Sequence, residues 1–258
     1  MASLHPHMAT ELKAIFFDLG GTLFSYREIA RVLSGVMNEA TERLGVDPET
    51  QPVGHAFVRA SRGAGKHFLS QDYYLHRDLF MESYRRWVEE IEGRADEAFY
   101  EWFYVAQRDA LVEGVVARED CLQTLEGLRD RGLSLSIVSN IDDDYLGPIL
   151  KTLELLPLFS HVSSSEEAES CKPHSGIYHY AMEKAGVVAE EVLFVGDSPQ
   201  HDIRGAREVG MLSALIEESA SPTGQDSNGD EPDFRITSLS DLISVVDGIR
   251  QKQADDRS

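Results

Sequence analysis

Short apolar runs, each ended abruptly by small polar residues, recur along the chain. Each run has the length of a buried strand, and glycine, serine and aspartate are typical of the turns that follow strands. The three runs are AIFF at 14–17 before Asp18, LSLSIV at 133–138 before Ser139-Asn140, and VLFV at 192–195 before Gly196-Asp197. We therefore predict three strands that end in polar turns.

Helical patterns lie between these strands. Apolar residues recur three or four positions apart, and each series ends just before a glycine, the residue preferred after a helix C-terminus. The series are Leu122, Leu125 and Leu128 before Gly132, Ile177 and Ala181 before Gly186, and Ile203, Ala206 and Val209 before Gly210. Strands that alternate with helices predict an α/β fold, here a Rossmann-like, doubly wound parallel sheet. Ligands bind where the strands of such sheets end, so Asp18, Ser139 and Asp197 should meet in one crevice.

The segment from 25 to 115 keeps helical spacing and contains no convincing strand. Its first helix carries apolar residues from Ile29 to Met37 and is closed by Gly45, while YYLHRDLFMESYRRWVEEI and EAFYEWFYVAQRDAL suggest two more helices. We predict an all-helical cap domain inserted after the first strand, whose aromatic residues form the core of a small bundle.

These patterns divide the chain into a discontinuous core and an inserted cap. The core is expected to comprise 11–24 and 116–250, the cap 25–115, and the tails 1–10 and 251–258. Within the core, the polar stretch at 217–232 is typical of a mobile loop, after which FRIT and SLSDLISVVDGI predict a last strand and helix.

Composition narrows the classes of partner. With 45 acidic and 24 basic side chains, the net charge is −21, which repels nucleic acid and anionic lipid surfaces. No apolar run is long enough for a transmembrane helix and the N-terminal segment lacks the apolar middle of a signal peptide, so we expect a cytoplasmic protein. The two cysteines, Cys121 and Cys171, have no metal-type spacing and are expected to be plain thiols.

Two aspartates at the predicted strand ends, Asp18 and Asp197, offer the oxygen ligands that a hard cation such as magnesium prefers. Asp202, five residues past Asp197, could also bind the metal or hold its waters. Helix capping is an alternative role for Asp197 and Asp202. Ser139 and Asn140 offer hydrogen-bond donors, and Lys172 a positive charge, of the kind an anion requires.

Together these residues resemble the motifs of the haloacid dehalogenase superfamily of hydrolases. The four motifs follow in order along nearly the whole chain, and the helical block is similar to the small cap of the phosphoglycolate phosphatase-like branch. They are matched by DLGGT at 18–22, Ser139-Asn140, Lys172-Pro173 and GDSPQHD at 196–202.

The resemblance implies a magnesium-dependent hydrolase that acts on a small phosphorylated metabolite. Asp18 would attack phosphorus and form an aspartyl-phosphate, and Thr22 would help to orient its loop. Ser139, Asn140 and Lys172 would bind the phosphoryl oxygens. The resemblance implies the following magnesium ligands: the Asp18 carboxylate, the Gly20 carbonyl oxygen and Asp197, with Asp202 in support.

The chain departs from the family pattern at Gly20. The family's phosphatases usually carry a second aspartate there as general acid and base, a function worth about a hundred- to ten-thousand-fold in rate. Three interpretations stay open. Asp18 hydrolyses phosphates whose leaving groups depart without protonation, or the chain cleaves phosphonates with a cap lysine such as Lys66, or it is a metal- or phosphate-binding regulator.

On the first interpretation, Gly20→Asp is expected to raise turnover of alkyl phosphates. Several side chains are candidates to replace the missing acid: His55, His67, His76, Asp142, Asp143, Asp144 and His174. The sequence leaves the natural substrate and the oligomeric state open.

Overall fold

The computed structural model of the chain describes residues 10–47, 52–217 and 231–256. Within these ranges six parallel strands form one sheet in the order β3-β2-β1-β4-β5-β6. The strands are β1 Ala14–Phe17, β2 Ser134–Ser139, β3 His161–Ser164, β4 Val192–Gly196, β5 Leu212–Ile216 and β6 Phe234–Ile236. The prediction of a doubly wound parallel α/β fold is confirmed.

The first strand is the centre of the sheet. It lies between β2 and β4, and Ala14 pairs with both Ser134 and Val192. All four of its residues are buried, with Ile15 and Phe17 in the apolar cluster on one face and Ala14 and Phe16 in the cluster on the other. Alternating side chains therefore fill two layers, and a strand covered on both faces has to be apolar throughout.

Helices cover both faces of this sheet and also form the block between β1 and α5. The helices of the described residues are α1 Tyr26–Leu44, α2 Val53–Phe68, α3 His76–Glu90, α4 Glu97–Gly114, α5 Cys121–Asp130, α6 Asp143–Thr152, α7 Ser175–Ala185, α8 Arg204–Glu208 and α9 Asp241–Asp255. Helices α5 and α9 contribute to the cluster that contains Phe17, and α7 and α8 to the cluster that contains Phe16. None of the helices within the described ranges is long and apolar enough to cross a bilayer.

An aromatic core holds helices α2, α3 and α4 together. The rings of Trp87 and Phe103 stack at 5.3 Å between centroids, and Tyr84 lies 4.6 Å from Phe103. Phe57 from α2 packs against all three rings. These contacts support the interpretation of the aromatic residues as bundle core.

Within the described residues, the structure contains five strands, α-helices or extensions that the sequence did not predict, among them helix α6 Asp143–Thr152. Strands β3 and β5 were not predicted, in part because buried serines such as Ser163 and Ser213 break their apolar pattern. Helix α2 was also missed, because Gly63 and Gly65 in its last turns are typical of a loop. Residues 251–255 were predicted to be a tail but continue α9, where the buried Gln253 accepts a hydrogen bond from the Leu12 N–H. Residues 1–9 of the other predicted tail, and most of the predicted loop at 217–232, lie outside the described residues.

The loop after β2 joins the core to the inserted helices. The buried Asp142 carboxylate accepts hydrogen bonds from the backbone N–H groups of His76 (2.9 Å) and Arg77 (2.7 Å), the first residues of α3. Nearby, the Tyr104 hydroxyl of α4 donates to Asp144 at 2.8 Å. A carboxylate at a helix N-terminus satisfies exposed N–H groups and interacts favourably with the helix dipole.

We expect Asp142→Ala to destabilise the protein, because it leaves two N–H groups at the start of α3 without their acceptor. Loss of such a cap costs about 1–2 kcal/mol, which corresponds to about 3–6 °C in Tm for a chain of this size. Thermal unfolding of Asp142→Ala and of Asp143→Ala, whose side chain is exposed, makes the comparison. Equal Tm values for the two variants would contradict the capping role.

Candidate active site

The turn after β1 holds Asp18 at the carboxyl edge of the sheet. Its N–H still bonds the Val195 carbonyl of β4 at 2.9 Å, and its carboxylate is buried. Oδ1 lies 3.4 Å from the Ser139 hydroxyl and Oδ2 lies 3.4 Å from the Thr22 hydroxyl. Both hydroxyls can therefore orient the carboxylate.

The guanidinium of Arg118 holds the turn after Asp18. Arg118 donates hydrogen bonds to the carbonyl oxygens of Gly21 (2.5 Å) and Thr22 (2.8 Å). Gly21 has φ +81°, and a Cβ at this position would lie only 2.1 Å from Oδ2 of Asp197. Position 21 therefore requires glycine for its backbone conformation and for the approach of Asp197.

A buried lysine links two of the carboxylates. The Lys172 Nζ lies 2.7 Å from Oδ1 of Asp18 and 2.7 Å from Oδ1 of Asp202. Burial alone would lower the pKa of Lys172, but the two carboxylates raise it, so the ammonium stays charged. The other oxygen of Asp202 accepts the Ser198 N–H at 2.9 Å, so Asp202 is held on both sides.

Asn140 fixes the backbone of this lysine. Its side-chain oxygen accepts the Lys172 N–H at 2.6 Å, and its side-chain nitrogen donates to the Lys172 carbonyl at 2.9 Å. The sequence predicted a contact between Asn140 and phosphate. In this structure both ends of its side-chain amide bond the Lys172 backbone, and the contact with phosphate stays a prediction.

Three carboxylates gather where magnesium was predicted. One oxygen from each of Asp18, Asp197 and Asp202 lies within 4.8 Å of the others. Together with the Lys172 ammonium they leave two negative charges, and hard oxygen donors of this kind suit a divalent cation such as magnesium. Because Asp202 is already engaged by Lys172 and Ser198, it fits the supporting role that the sequence analysis assigned to it.

Burial, and after it the crowding of like charges, raises the pKa of Asp18 and Asp197. Burial raises the pKa of Asp18 despite the opposing effect of Lys172. Desolvation in the crevice, followed by the charges of Asp18 and Asp202, raises the pKa of Asp197 to about 7. A cation bound here would relieve the repulsion and favour the ionised forms.

A cavity of about 320 Å³ lies above these carboxylates, between the core and the inserted helices. Its floor is polar and its other walls are largely apolar or aromatic. The residues that the inserted helices and their connections contribute are Tyr26, Leu69, Tyr74, His76, Leu79 and Leu111. The cavity has the size of a small-molecule site.

Comparison with known protein families shows to which family this chain belongs. A family model described as haloacid dehalogenase-like hydrolase matches residues 12–210. The chain belongs to the haloacid dehalogenase-like hydrolase family. It is 31% identical to haloacid dehalogenase-like hydrolase domain-containing protein 3 of Bos taurus, with 95% of this chain and 97% of that protein covered.

Other relatives and solved structures of haloacid dehalogenase-like hydrolases agree with the assignment. Glyceraldehyde 3-phosphate phosphatase of Methanocaldococcus jannaschii is 26% identical, with 93% of this chain and 99% of that protein covered. The magnesium-bound HAD-hydrolase YfnB from Bacillus subtilis has a TM-score of 0.75 at 18% identity, with 92% of this chain and 100% of that chain covered, and shows the same fold. The L-2-haloacid dehalogenase from Xanthobacter autotrophicus has a TM-score of 0.68 at 25% identity, with 92% of this chain and 99% of that chain covered.

The fold of this haloacid dehalogenase-like hydrolase brings the predicted site residues together. Those that line the cavity are Asp18, Gly20, Ser139, Asn140, Lys172, Asp197 and Asp202, and Thr22 is buried directly behind Asp18. Among the candidate replacements for the missing acid, His76 lines the cavity. Lys66, His55 and His67 are exposed on α2, outside the cavity lining.

Three of the remaining candidate acids have other partners, and Asp143 is exposed outside the cavity lining. Burial would raise the pKa of Asp142, but hydrogen bonds from His76 and Arg77 lower it. Asp144 accepts the Tyr104 hydroxyl, and His174 Nδ1 lies 3.3 Å from Asp72. None of these carboxylates or imidazoles lines the cavity as the structure describes it.

Three residues near the site were missed from the sequence. His201 and Tyr26 line the cavity, and Arg118 donates hydrogen bonds to the turn that follows Asp18. His201 lies within the GDSPQHD motif, so its position was a usable signal. Tyr26 and Arg118 reach the site through a backbone bridge from Phe24 to Gly20 and a second from Phe24 to Ala117, which no local pattern announces.

We expect the metal-free protein to lose stability as the pH rises through about 7, the pKa of Asp197. In the unfolded chain an aspartate of ordinary pKa is already ionised, so the native state binds the extra proton and is favoured at lower pH. Thermal unfolding from about pH 5.5 to about pH 8 should therefore give a steeper decline of Tm in the wild type than in Asp197→Asn.

Magnesium should reverse this decline in the wild type by favouring the ionised carboxylates. The metal should have a smaller effect on Asp197→Asn. Parallel pH profiles for the two proteins, with no response to magnesium, would contradict the coupling of Asp197 to the cluster.

Proposed function

We propose that this protein is a magnesium-dependent phosphatase that hydrolyses small phosphorylated molecules through an aspartyl-phosphate on Asp18. The observation that carries the proposal is the Asp18 carboxylate, which lies beneath a cavity, paired with the buried Lys172 and gathered with Asp197 and Asp202. Relatives named as phosphatases of glyceraldehyde 3-phosphate and phosphoglycolate support a phosphate ester as the substrate class.

The nucleophile is oriented before substrate arrives. Lys172 and Ser139 approach one oxygen of Asp18, and Thr22 approaches the other. In the first step an oxygen of Asp18 forms a bond to phosphorus and the bridging oxygen departs with the bonding electrons. In the second step water attacks the phosphorus of the aspartyl-phosphate and releases inorganic phosphate and the free carboxylate.

Charge stabilisation is the main contribution of the other side chains. The phosphoryl group carries its charge on three oxygens, and positioned cations and hydrogen-bond donors dominate the catalysis of such transfers. Lys172 and the Ser139 hydroxyl border the space above Asp18 and can reach these oxygens. Magnesium, when held by Asp18, the Gly20 carbonyl oxygen and Asp197, would add positive charge and orient the phosphoryl group.

In this proposed function the core and the inserted helices have different roles. Residues 11–24 and 116–250 form the catalytic core, and residues 25–115 form the cap that covers the substrate. The cap side of the cavity carries leucine and aromatic side chains, which suit an organic group of modest size and exclude water from the reacting atoms.

The phosphonate interpretation has less support. It requires a cap lysine at the reaction centre, and Lys66 is exposed on α2 away from the cavity lining. The regulator interpretation would leave unexplained why the nucleophile, the buried lysine and the paired carboxylates all face one cavity.

The first test is hydrolysis of p-nitrophenyl phosphate with and without magnesium. Wild type should turn over the ester only with magnesium, and Asp18→Asn should lose at least about a thousandfold in kcat, because an amide cannot form the acyl phosphate. Asp143→Asn, a matched substitution at an exposed aspartate, should keep full activity.

Chemical trapping makes the test specific to the mechanism. Rapid quenching during turnover followed by mass spectrometry should find a phosphoryl group on the peptide that contains Asp18. Turnover that persists in Asp18→Asn, or that needs no metal, would refute the proposed mechanism.

A further inference from the structure

The space in which an acid at position 20 would begin is already filled. A Cβ built on Gly20 would lie 2.0 Å from the hydroxyl oxygen of Tyr26 and 2.8 Å from its Cζ. These distances are far shorter than any non-bonded contact. The side chain of Tyr26 thus ends where the side chain of the usual acid would start.

Tyr26 is held in this place by the backbone and by a ring contact. Phe24 forms a backbone bridge with Gly20 and another with Ala117, which ties the start of α1 to the nucleophile turn. The ring of Tyr26 packs edge to face on Phe24, with centroids 5.4 Å apart and planes at 76°. The hydroxyl is therefore placed by the same segment that carries Asp18.

The surroundings leave this hydroxyl available to a ligand. Tyr26 lines the cavity together with Asp18, Gly20 and Lys172, and 55% of its surface is exposed. Among the described residues no partner is hydrogen-bonded to the hydroxyl. Burial, followed by the nearby charges of Asp18, Asp197 and Asp202, raises the pKa of Tyr26, so the hydroxyl keeps its proton and can donate it in a hydrogen bond to a substrate in the cavity above Asp18.

We propose that Tyr26 is a further catalytic residue, whose hydroxyl donates a hydrogen bond to the leaving-group oxygen in the space of the absent carboxylic acid. This inference rests on the proposed phosphatase function and extends it to the choice of leaving group. Its substrates are phosphate esters and anhydrides whose leaving group is a stable anion, such as aryl and acyl phosphates, ahead of simple alkyl phosphates.

The step balances without a proton transfer from the enzyme. An oxygen of Asp18 forms a bond to phosphorus while the bond from phosphorus to the bridging oxygen breaks. The leaving group departs as an anion with the bonding electrons, stabilised by the hydrogen bond from Tyr26, which keeps its proton. The anion takes a proton from water after release.

This geometry adds a condition to the expectation that Gly20→Asp raises the turnover of alkyl phosphates. The new side chain would collide with Tyr26 and displace its hydroxyl. The acid is expected to act more fully when the ring is removed as well, in the double variant Gly20→Asp/Tyr26→Ala.

The decisive experiment compares Tyr26→Phe with wild type on three esters: p-nitrophenyl phosphate, phenyl phosphate and glycerol 2-phosphate. Loss of a hydrogen bond to a developing anion should lower kcat for phenyl and glycerol phosphates by about tenfold to a hundredfold, and for p-nitrophenyl phosphate by about twofold at most. Tyr180→Phe, on α7 outside the cavity lining, is the matched control and should behave as wild type.

Other outcomes of this comparison overturn the inference. An unchanged Tyr26→Phe variant, or an equal loss on all three esters, would show that the hydroxyl does not act on the leaving group. Absence of hydrolysis of every ester by folded, magnesium-loaded wild type would refute the proposed function and this inference together, whereas a flat response in an active enzyme refutes this inference alone.

A measurement that does not depend on turnover tests the contact itself. Gly20→Ala should lower Tm in the wild-type background and lower it less in the Tyr26→Ala background, because the added Cβ collides with the tyrosine. Equal shifts in the two backgrounds would overturn the placement of Tyr26 beside Gly20.

Discussion

The ammonium of Lys172, buried between the carboxylates of Asp18 and Asp202, is the interaction on which the rest of the site depends. Without it the two carboxylates would be uncompensated charges in a desolvated crevice, a situation that proteins avoid because it is costly. The sheet positions both members of the Asp18–Lys172 pair. Asp18 directly follows β1, and Asn140, directly after β2, forms two hydrogen bonds with the Lys172 backbone. When all three carboxylates are ionised, the lysine leaves the cluster with two negative charges, which a divalent cation would neutralise.

The loop after β2 connects chemistry to cap position. Ser139 and Asn140 serve the site, while Asp142, only two residues further on, caps α3 of the inserted helices. The position of α3 is therefore linked to the segment that also carries Ser139, whose hydroxyl lies 3.4 Å from Asp18. In a hydrolase whose cap covers the substrate, this short connection would couple the position of the cap to the geometry of the residues that we propose bind phosphate.

The Tyr26 phenol occupies the space that the absence of a side chain at Gly20 leaves open. A Cβ at position 20 and the Tyr26 ring in its present position cannot occupy the same space, so an acid at position 20 would require the ring to move. A hydroxyl that donates a hydrogen bond is a weaker aid to a leaving group than a carboxylic acid that transfers a proton. The proposed hydrogen bond from Tyr26 would therefore favour leaving groups that depart readily as anions, and the apolar cavity walls would suit their organic part.

The sequence by itself determined the sheet-and-helix fold, the three buried strands that end at the site and the identity of the polar groups there. These features are local, because apolar runs and turn residues act on their immediate neighbours. It failed where the pattern was weak, as at the serine-containing β3 and the glycine-containing α2, and at the end of α9, where burial of Gln253 adds order that composition does not reveal. Only the tertiary structure decided that Lys172 bridges two carboxylates, that Asn140 positions it, and that Tyr26 occupies the space beside Gly20. The contacts of Lys172 join residues that are distant in sequence, and the contact of Tyr26 with Gly20 depends on a backbone bridge through Phe24. All of them depend on distances that are defined only once the chain is packed.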